Sequence, residues 1–450
     1  CSSPHFRRRH LLILLIDAMT ATPRILISGA GIAGPVCAHF LGRAGIRTTL
    51  VERAPVLRAN GQNLDLNGVT ACVVVERMGP EVNAAILVAR TREEGTYTVD
   101  DAGQTRASFP VEGGGFTNEI EIMREKLVGI FYGASRSSTE YIFGDSIAKI
   151  EQTDREAVVT FANGTTKAFD VVIVADGMAS STRSLVFGRP GTAEKKDDKA
   201  DVQIRSVGFH CAYFTLPYVE SDGAWSRWWH TTRSRSIWLR PDVTTPSTRA
   251  YLLAGGEATQ QALSGARKLS VDEQKSRWKA LYAGAGWQTD RVLEAMDGAE
   301  DFYMQEVAHV ISKSWSKGRV VLLGDAAGCP SPMSGMGTSC AVVGAYVLAG
   351  ELAKRRDALS DGTVVKEALE AYERICRPYF EDAQDIPMSL FRLGFPDSAL
   401  GVSIQRTAVG AISYLIKTRA AKWAGSKVFG SGETAQKPED AHIKLPLYDF

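Results

Sequence analysis

The sequence is poor in the residues that build disulfide frameworks and metal centres. Its 450 residues include seven cysteines, an odd number, and no two of them have the CxxC spacing of a zinc module or a redox pair. The seven histidines show neither metal-site spacing nor a catalytic triad. We therefore expect no disulfide-stabilised secreted domain and no metal site, and we expect a reducing, cytoplasmic setting.

An excess of charge of either sign is also missing. Lysine and arginine number 52 against 51 aspartates and glutamates, which leaves a formal net charge of +1. A protein that binds nucleic acid needs a basic surface to neutralise phosphates. The balance of charge therefore argues against a nucleic-acid partner.

The N-terminus lacks an apolar run of the length that targeting requires. Leu11–Ile16 follows three arginines and contains six apolar residues, whereas a signal peptide needs about 7 to 15 and a spanning helix about 20. We interpret residues 1–22 as a disordered leader, and Met19 lies where an initiator would be expected.

The other long apolar stretch lies near the C-terminus. Ala399–Leu415 is interrupted by Gln405 and Arg406, so that polar groups recur on one side of a helix. The pattern predicts an amphipathic helix that packs on the protein body, and we expect no membrane span.

A βαβ unit is predicted near the start of the chain. Arg24–Ser28 is a short β-branched and aliphatic run, Ile32–Ala44 has helical periodicity, and Arg47–Val51 is a second apolar run. The unit has about the length that a crossover between parallel strands needs. Farther on, Asn163-Gly164 between alternating segments predicts a type I′ hairpin.

The turn of this βαβ unit carries a GxGxxG motif, Gly29-Ala30-Gly31-Ile32-Ala33-Gly34. Glycines at these positions allow a tight turn, close approach of a pyrophosphate, and close packing of the helix on the strand. Glu52 ends the second strand, where a carboxylate accepts ribose hydroxyls. The combination predicts a dinucleotide site, and the alternative is a glycine-rich turn without a ligand.

Two later motifs also follow predicted strands. Asp176-Gly177 ends the strand 170–175 and precedes Ser180 and Arg183, which alone would be read as a turn with a helix N-cap. Gly324-Asp325 ends the strand 320–323, and a carboxylate there can accept a ribityl hydroxyl. The loop then leads into a helix from Thr338 to about Lys354, and its turn leaves backbone amides free to face an electron-rich ring. From this loop we select Pro332, Gly335, Met336 and Gly337 as candidate site residues.

Residues from about 200 to 255 predict a different architecture, an antiparallel sheet with aromatic strands. Its predicted strands are Val207–Leu216, Trp225–Trp229, Ser236–Leu239 and Ala250–Leu253. Alternation places Phe209, Cys211 and Tyr213 on one face and His210, Ala212 and Phe214 on the other. The sequence does not decide which face lines a pocket, but aromatic lining favours a planar, largely apolar substrate.

In this order, the three motifs resemble the group A flavoprotein aromatic hydroxylases, whose fold is that of p-hydroxybenzoate hydroxylase. The resemblance extends from residue 24 to about 395. Arg58, the run Gly61-Gln62-Asn63-Leu64-Asp65-Leu66 and the run Glu119-Ile120-Glu121-Ile122-Met123-Arg124 are similar to the tetracycline-inactivating monooxygenases and related fungal and actinobacterial tailoring hydroxylases.

The resemblance implies an α/β fold in which a Rossmann-like FAD-binding domain is interrupted by an antiparallel-sheet substrate domain and followed by C-terminal helices. The FAD-binding domain would comprise residues 23–75, 104–191 and 304–395. The substrate domain would comprise 76–103 and 192–303, and 396–450 would form a C-terminal helix and tail.

The resemblance also implies the residues that bind the cofactor. Gly29, Gly31 and Gly34 would line the FAD pyrophosphate and Glu52 would bind the adenosine ribose. Asp65 and Arg124 would contact FAD, and Asp325 would hold its ribityl or pyrophosphate portion. Asp176 and Gly177 would form the dual FAD and NADPH motif, and Arg53 and Arg58 would offer charge to the adenine side or to NADPH.

The implied activity is that of a monooxygenase. NADPH or NADH would dock transiently as a co-substrate, and O₂ would form a flavin C4a-hydroperoxide that hydroxylates a planar aromatic or polyketide-like small molecule. No protein nucleophile is required, so we assign no catalytic residue, and we expect a monomer or homodimer.

Three alternatives remain open. A Baeyer–Villiger or epoxidising oxygenase would use the same chemistry, and an FAD-binding protein without turnover would share the motifs. An NAD-dependent dehydrogenase would leave both later motifs unexplained. A flavin-dependent halogenase would need a WxWxIP signature, which the sequence lacks.

Overall fold

The computed structural model describes residues 22–58, 61–111, 120–192, 200–385, 392–417 and 443–450. The expected leader lies outside the described residues except for its last position. Glu119 and most of the expected C-terminal tail lie outside them as well.

The first layer of the structure, which contains the predicted βαβ unit, is a six-stranded sheet. From edge to edge its strands are β18 (Ser316–Lys317), β19 (Val320–Leu322), β11 (Val171–Val174), β1 (Ile25–Ser28), β2 (Thr48–Glu52) and β7 (Thr139–Phe143). All neighbours are parallel except β18 and β19. Every side chain of β1 and β11 is buried, as expected for parallel strands that are covered on both faces.

Within the described residues, seven helices contribute side chains to the same core as this sheet. They are α1 (Ala33–Arg43), α2 (Val69–Met78), α3 (Pro80–Ala89), α4 (Arg124–Ser135), α5 (Ser181–Phe187), α9 (Gly337–Ala353) and α10 (Gly362–Gln384). Helix α9 is buried from Thr338 to Leu352 because it packs between α1 and α10. Helix α2 forms despite its β-branched residues, since Val74 and Val75 are buried in the core.

Two small sheets flank this layer. A ribbon of β3 (Asn63–Asp65) and β6 (Glu121–Met123) lies beside the predicted cofactor cleft, and β8 (Ile147–Gln152), β9 (Ala157–Phe161) and β10 (Thr166–Phe169) form the second sheet. The predicted β9–β10 hairpin is present, but the prediction of a type I′ turn is wrong. A type I′ turn needs positive φ at both central residues, and of Asn163 and Gly164 only the glycine has it.

A second layer of the structure is built on an eight-stranded sheet. In spatial order the strands are β12 (Gly191–Thr192), β13 (Val202–Pro217), β16 (Ser247–Gly255), β15 (Arg235–Asp242), β14 (Ser226–Thr231), β4 (Gly95–Val99) and β5 (Thr105–Pro110), and β17 (Tyr303–Ser312) pairs with β13. The expected antiparallel order holds for most pairs, but β12–β13 and β14–β4 are parallel.

This sheet includes β5 and most of β17, which lie outside the predicted substrate segments. The predicted division at 103/104 separates β4 from β5, which pair as a hairpin. The division at 303/304 falls inside β17, which pairs with β13 along most of its length. The pairing of β4 with β14 and that of β17 with β13 join segments distant in the chain to the aromatic strands.

The two faces of the large sheet have different neighbours. Ala212, Phe214 and Leu216 share a core with helices α6 (Gly256–Leu263), α7 (Val271–Tyr282) and α8 (Thr289–Gly298). Phe209, Cys211 and Tyr213 lie on the opposite face, in a smaller cluster with Tyr251 and Tyr303. The sequence did not decide which face lines a pocket. In the structure, α6, α7 and α8 cover the face that carries Ala212, Phe214 and Leu216.

The C-terminal helix α11 (Ala399–Lys417) packs on an edge of this sheet. Ser413 donates a hydrogen bond of 2.9 Å to the carbonyl of Ser108 in β5, and Arg406 forms an ion pair with Asp101 at 2.6 Å. By length and composition its segment Ala399–Ile416 could also cross a membrane. A single helix of this kind does not by itself distinguish a span from a helix that packs on its own protein.

Candidate functional site

The GxGxxG turn gives each glycine a different physical role. Gly29 has a φ of +110°, and a Cβ added there would lie 2.5 Å from the carbonyl oxygen of Ala175. A Cβ on Gly34 would lie 2.1 Å from the carbonyl oxygen of Gly29, so the helix can approach the strand only without a side chain. A Cβ on Gly31 would meet nothing within 4 Å. Gly31 therefore faces open space at the N-terminus of α1.

Glu52 lies beside this turn, at the end of β2. Its carboxylate accepts hydrogen bonds from the backbone N–H of Ala30 and of Ala54, both at 2.9 Å. These bonds fix the carboxylate at the edge of the sheet, where its remaining lone pairs can accept ribose hydroxyls.

Arginines add positive charge next to Glu52. Arg53 and Arg58 are exposed. Packing along the side chain of Arg58, together with the charge of Arg53, lowers the pKa of its guanidinium, and Arg124 acts in the same direction. This side of the cleft therefore favours an anion.

The Asp176-Gly177 turn follows β11. Oδ2 of Asp176 accepts a hydrogen bond from the N–H of Thr182 at 3.3 Å, while Oδ1 is buried without a hydrogen-bond partner in the described part of the chain. Ser180 caps α5 by accepting a hydrogen bond from the N–H of Arg183 at 2.8 Å. The helix N-cap, which the sequence analysis gave as the alternative interpretation of this motif, is therefore present at Ser180. Beside it, Oδ1 of Asp176 is an unsatisfied acceptor.

Arg183 joins this turn to the Gly324-Asp325 turn. Its guanidinium donates to the carbonyl of Met178 at 2.7 Å and to the carbonyl of Ala326 at 3.0 Å, and the side chain is 1% exposed. The sequence placed Arg183 after the second motif but gave it no role. Its bond to Ala326 spans 143 residues of chain, so no local pattern could reveal it.

Asp325 lies where β19 turns towards α9. Burial raises the pKa of its carboxyl from 3.8 to about 6, against the opposing effects of a hydrogen bond from Cys329 and the charges of Arg124 and Arg183. A Cβ on Gly337 would lie 3.8 Å from its Oδ1. Asp325 is therefore adjacent to the N-terminus of α9, where first-turn amides have no intrahelical acceptor.

The loop between Asp325 and α9 has a defined shape. Pro332 begins a single 3₁₀ turn, and Gly335 ends it with a φ of +65°. The side-chain amide of Asn67 donates to the carbonyl of Gly335 at 3.0 Å. Met336 is buried, and its N–H donates to Oγ of Ser334 at 3.0 Å, so that amide is not free for a ligand as the sequence suggested.

The β3–β6 ribbon brings Asp65 and Arg124 to the same cleft. A Cβ on Gly335 would lie 3.6 Å from Oδ2 of Asp65. The side chain of Arg124 passes over Gly61, where a Cβ would lie 2.5 Å from its Cδ. Three predicted segments, distant in sequence, therefore meet around one cleft.

The ionisation of Asp325 provides a test of this geometry. Because the folded protein holds the Asp325 proton more tightly than the unfolded chain does, its contribution to stability is complete below pH 3.8 and is lost as the pH rises through about 6. We expect the free energy of unfolding of FAD-free protein, relative to Asp325→Asn, to fall across this window. Urea unfolding of both proteins at a series of pH values measures it, and a difference that does not change with pH contradicts the assignment.

These residues fit an FAD molecule. The open space at Gly31 suits a pyrophosphate, the lone pairs of Glu52 suit a ribose, and the unsatisfied Oδ1 of Asp176 and the carboxyl of Asp325 are acceptors for hydroxyl groups. In the described residues, no group of three or more histidine, cysteine, aspartate or glutamate side chains is arranged to hold a metal ion.

Comparison with known proteins agrees with this geometry. The family model described as FAD binding domain matches residues 22–386. The chain is 35% identical to the flavin-dependent monooxygenase eupH of Phoma sp, covering 95% of this chain and 97% of that protein. It is also 35% identical to the FAD-dependent monooxygenase asL6 of Sarocladium schorii, covering 88% and 93%. Among solved structures, tetracycline destructase Tet(51) superposes with a TM-score of 0.70 at 27% identity, covering 95% and 99%.

Proposed function

The chain belongs to the FAD binding domain family and is an FAD-dependent monooxygenase, and we propose that the cleft described above binds the cofactor with its pyrophosphate at Gly31. In this proposal Gly29 and Gly34 shape the turn and Glu52 binds the adenosine ribose. Contacts to the rest of FAD come from Asp65, Arg124, Asp176, Gly177, Asp325, Pro332, Gly335, Met336 and Gly337, and Arg53 and Arg58 attract the anionic cofactors.

Bound FAD supplies hydride acceptance from NADPH or NADH and the activation of O₂. The protein contributes position and shielding. The first-turn amides of α9 would face the ring system, Asp325 would hold the ribityl or pyrophosphate portion, and the large sheet would shield the ring system from water. No side chain of this chain need act as a nucleophile.

The pocket proposed for the substrate lies on the face of the large sheet that its helices leave uncovered. This face carries Tyr213, Tyr251 and Trp228, and the ring centroids of Tyr213 and Tyr251 are 4.8 Å apart. Tyr303 belongs to the same cluster, with its ring centroid 5.9 Å from that of Tyr213, and interacts electrostatically with Arg124 and Asp325. These contacts support a position of the aromatic wall, formed by Tyr213, Tyr251, Trp228 and Tyr303, next to the proposed flavin site. This adjacency is the observation that carries the proposal.

A short polar row crosses the aromatic wall. The hydroxyl of Tyr303 donates to Oε1 of Gln305 at 2.6 Å, and Nε2 of Gln305 donates to the hydroxyl of Tyr213 at 3.3 Å. Burial raises the pKa of Tyr213 well above its usual range, so its hydroxyl stays protonated. An aromatic surface with few polar groups favours a planar, largely apolar substrate with an oxygen substituent.

The proposed setting is the cytoplasm. The six cysteines in the described residues are all free and five of them are buried. Burial raises the pKa of Cys37, Cys340 and Cys376, which keeps these thiols protonated and unreactive. Free thiols of this kind are typical of a reducing compartment.

NADPH oxidation by the FAD-loaded protein tests the substrate class. We expect planar phenolic polyketides to accelerate NADPH oxidation and to gain one oxygen atom, whereas saturated analogues of the same size do neither. In Trp228→Ala the KM for such a substrate should rise about tenfold, since a ring of the wall is lost. Consumption of NADPH and mass spectrometry of products measure both effects.

Trp225→Ala is the matched control. Trp225 stacks on Tyr97 with ring centroids 4.4 Å apart and donates a hydrogen bond to Glu94, outside the aromatic wall, so its removal should leave KM unchanged. FAD-loaded protein that no planar phenolic compound stimulates, or equal KM values in the two variants, would refute the proposed substrate class.

A further inference from the structure

Arg124 lies where the short β3–β6 ribbon joins helix α4. It follows β6 directly as the first residue of α4, and its N–H donates to the carbonyl of Gln62 at 3.3 Å. The ribbon before it consists of two strands of three residues each. A ribbon this short is not stable in isolation, so the position of Arg124 depends on α4, whose Leu127 and Phe131 are buried in the core, and on whatever packs against the ribbon.

The large sheet holds this ribbon through a buried cluster of charges. Arg240 of β15 donates to both carboxylate oxygens of Glu93 at 3.1 Å and to Oε2 of Glu121 in β6 at 2.5 Å. The three side chains are between 1% and 4% exposed. The guanidinium also lies 4.3 Å from the ring centroid of Trp238. A planar guanidinium held in this way has one orientation only.

The neighbouring strand adds a second ion pair. Arg249 of β16 lies opposite Arg240 in register, and its Nη2 is 3.0 Å from Oε1 of Glu125 in α4. Glu121 and Glu125 lie on either side of Arg124 in the chain. The β15–β16 hairpin therefore holds the segment before Arg124 and the segment after it.

The same hairpin contributes to the proposed pocket wall. The hydroxyl of Tyr251 accepts a hydrogen bond of 2.6 Å from the N–H of Asn63, the first residue of β3. The ring of Tyr251 packs edge-on against Tyr213. One hairpin thus contacts both the ribbon at the flavin site and the aromatic wall.

Stability alone does not account for this arrangement. Two carboxylates face one guanidinium out of reach of water, and burial raises the pKa of Glu121 well above its usual range. Buried charges of this kind are commonly no more stabilising than well-packed apolar residues of the same volume. What the charged cluster provides beyond packing is a fixed direction for its hydrogen bonds.

We infer that Arg240 is a positioning residue that fixes Arg124 for its contact with the flavin. The inference rests on the proposed role of Arg124 in FAD binding. Arg240 itself touches neither cofactor nor substrate in this account, and it acts by holding Glu121, three residues before Arg124. Arg249 supports the same segment from the other side through Glu125.

A double-mutant cycle on FAD affinity tests this inference. Arg240→Lys keeps the charge but loses the two-pronged hydrogen bonding to Glu93, and we expect it to weaken FAD binding about tenfold with the thermal unfolding temperature still above the assay temperature. In an Arg124→Ala background the same substitution should change the Kd for FAD less than twofold. Titration of the FAD-free proteins, followed by flavin fluorescence, gives all four values.

Arg291→Lys is the matched control, because Arg291 also forms a two-pronged ion pair, in this case with a buried carboxylate and with its own side chain 27% exposed. Its guanidinium donates to the carboxylate of Asp222 at 2.7 and 2.8 Å, and within the described part of the chain its other hydrogen bonds go to Gln288 and Pro217 and not to the ribbon. We expect its FAD affinity to equal that of the wild type. Weakening of FAD binding by Arg291→Lys as strong as that by Arg240→Lys would show a general effect of destabilisation and overturn the inference.

The two remaining outcomes separate the inference from its premise. If Arg240→Lys weakens FAD binding equally with and without Arg124, Arg240 does not act through Arg124 and only the inference fails. If Arg124→Ala leaves the Kd for FAD unchanged, the proposed role of Arg124 is wrong and the inference fails with it.

Discussion

Gly31→Leu is expected to weaken FAD binding by about 1,000-fold or more while leaving the fold intact. A side chain at this position meets no protein atom within 4 Å, so the FAD-free protein has room for it. The same space is the one assigned to the pyrophosphate. The stability of the FAD-free protein should change by no more than about 0.5 kcal/mol, as for an ordinary surface substitution. Isothermal titration with FAD and urea unfolding measure the two effects separately.

Two other glycines serve as controls for this result. Gly129 in α4 is also free of neighbours within 4 Å, and Gly129→Leu should leave FAD affinity unchanged. Gly34→Ala should instead damage the fold, because its Cβ would lie 2.1 Å from a backbone oxygen. Normal FAD affinity in Gly31→Leu would show that the pyrophosphate does not lie at this turn.

Arg183→Met is expected to lower the free energy of unfolding by about 2–5 kcal/mol and also to weaken FAD binding. The substitution leaves the carbonyls of Met178 and Ala326 without the donors that they have now, in a place that water does not reach. It also separates the turn that carries Asp176 from the turn that carries Asp325. Urea unfolding and FAD titration at a temperature where the variant is folded measure these effects.

Arg319→Met distinguishes the loss of stability from the loss of the site. Arg319 is 2% exposed and likewise donates to backbone carbonyls, including that of Asp170 at 2.9 Å and that of Leu359 at 3.0 Å. Asp170 precedes β11, so this cluster lies at the opposite end of the strand from Asp176. We expect a similar loss of stability with normal FAD affinity in the folded fraction. Equal weakening of FAD binding in both variants would contradict the bridging role of Arg183.

The local parts of the cofactor cleft could be predicted from the sequence. The βαβ unit around Gly29 and Glu52 is determined by neighbours in the chain, and the structure places β1, α1 and β2 within a residue or two of the predicted bounds. The glycine pattern indicates a tight turn because Gly34 leaves room for the carbonyl of Gly29 in the same turn, whereas the contact that excludes a side chain at Gly29 comes from Ala175 and is not local. The assignment to FAD came from the order of the three motifs.

Long-range pairings could not be predicted in the same way. Strands β4 and β17 pair with β14 and β13, which are distant in the chain, although the sequence around them gives only the pattern of a strand, and a strand does not encode its distant partner. The two faces of β13 are both apolar, since one packs on helices and the other forms the aromatic wall. Alternation therefore gave the two sets of residues but not their neighbours.

The flavin content of the purified protein tests the central claim most directly. The account predicts a yellow protein that releases about one FAD per chain on denaturation, and a Gly31→Leu variant that is folded but colourless. Colourless wild-type protein that binds NAD but not FAD would contradict it, as would a Gly31→Leu variant that retains the full complement of flavin.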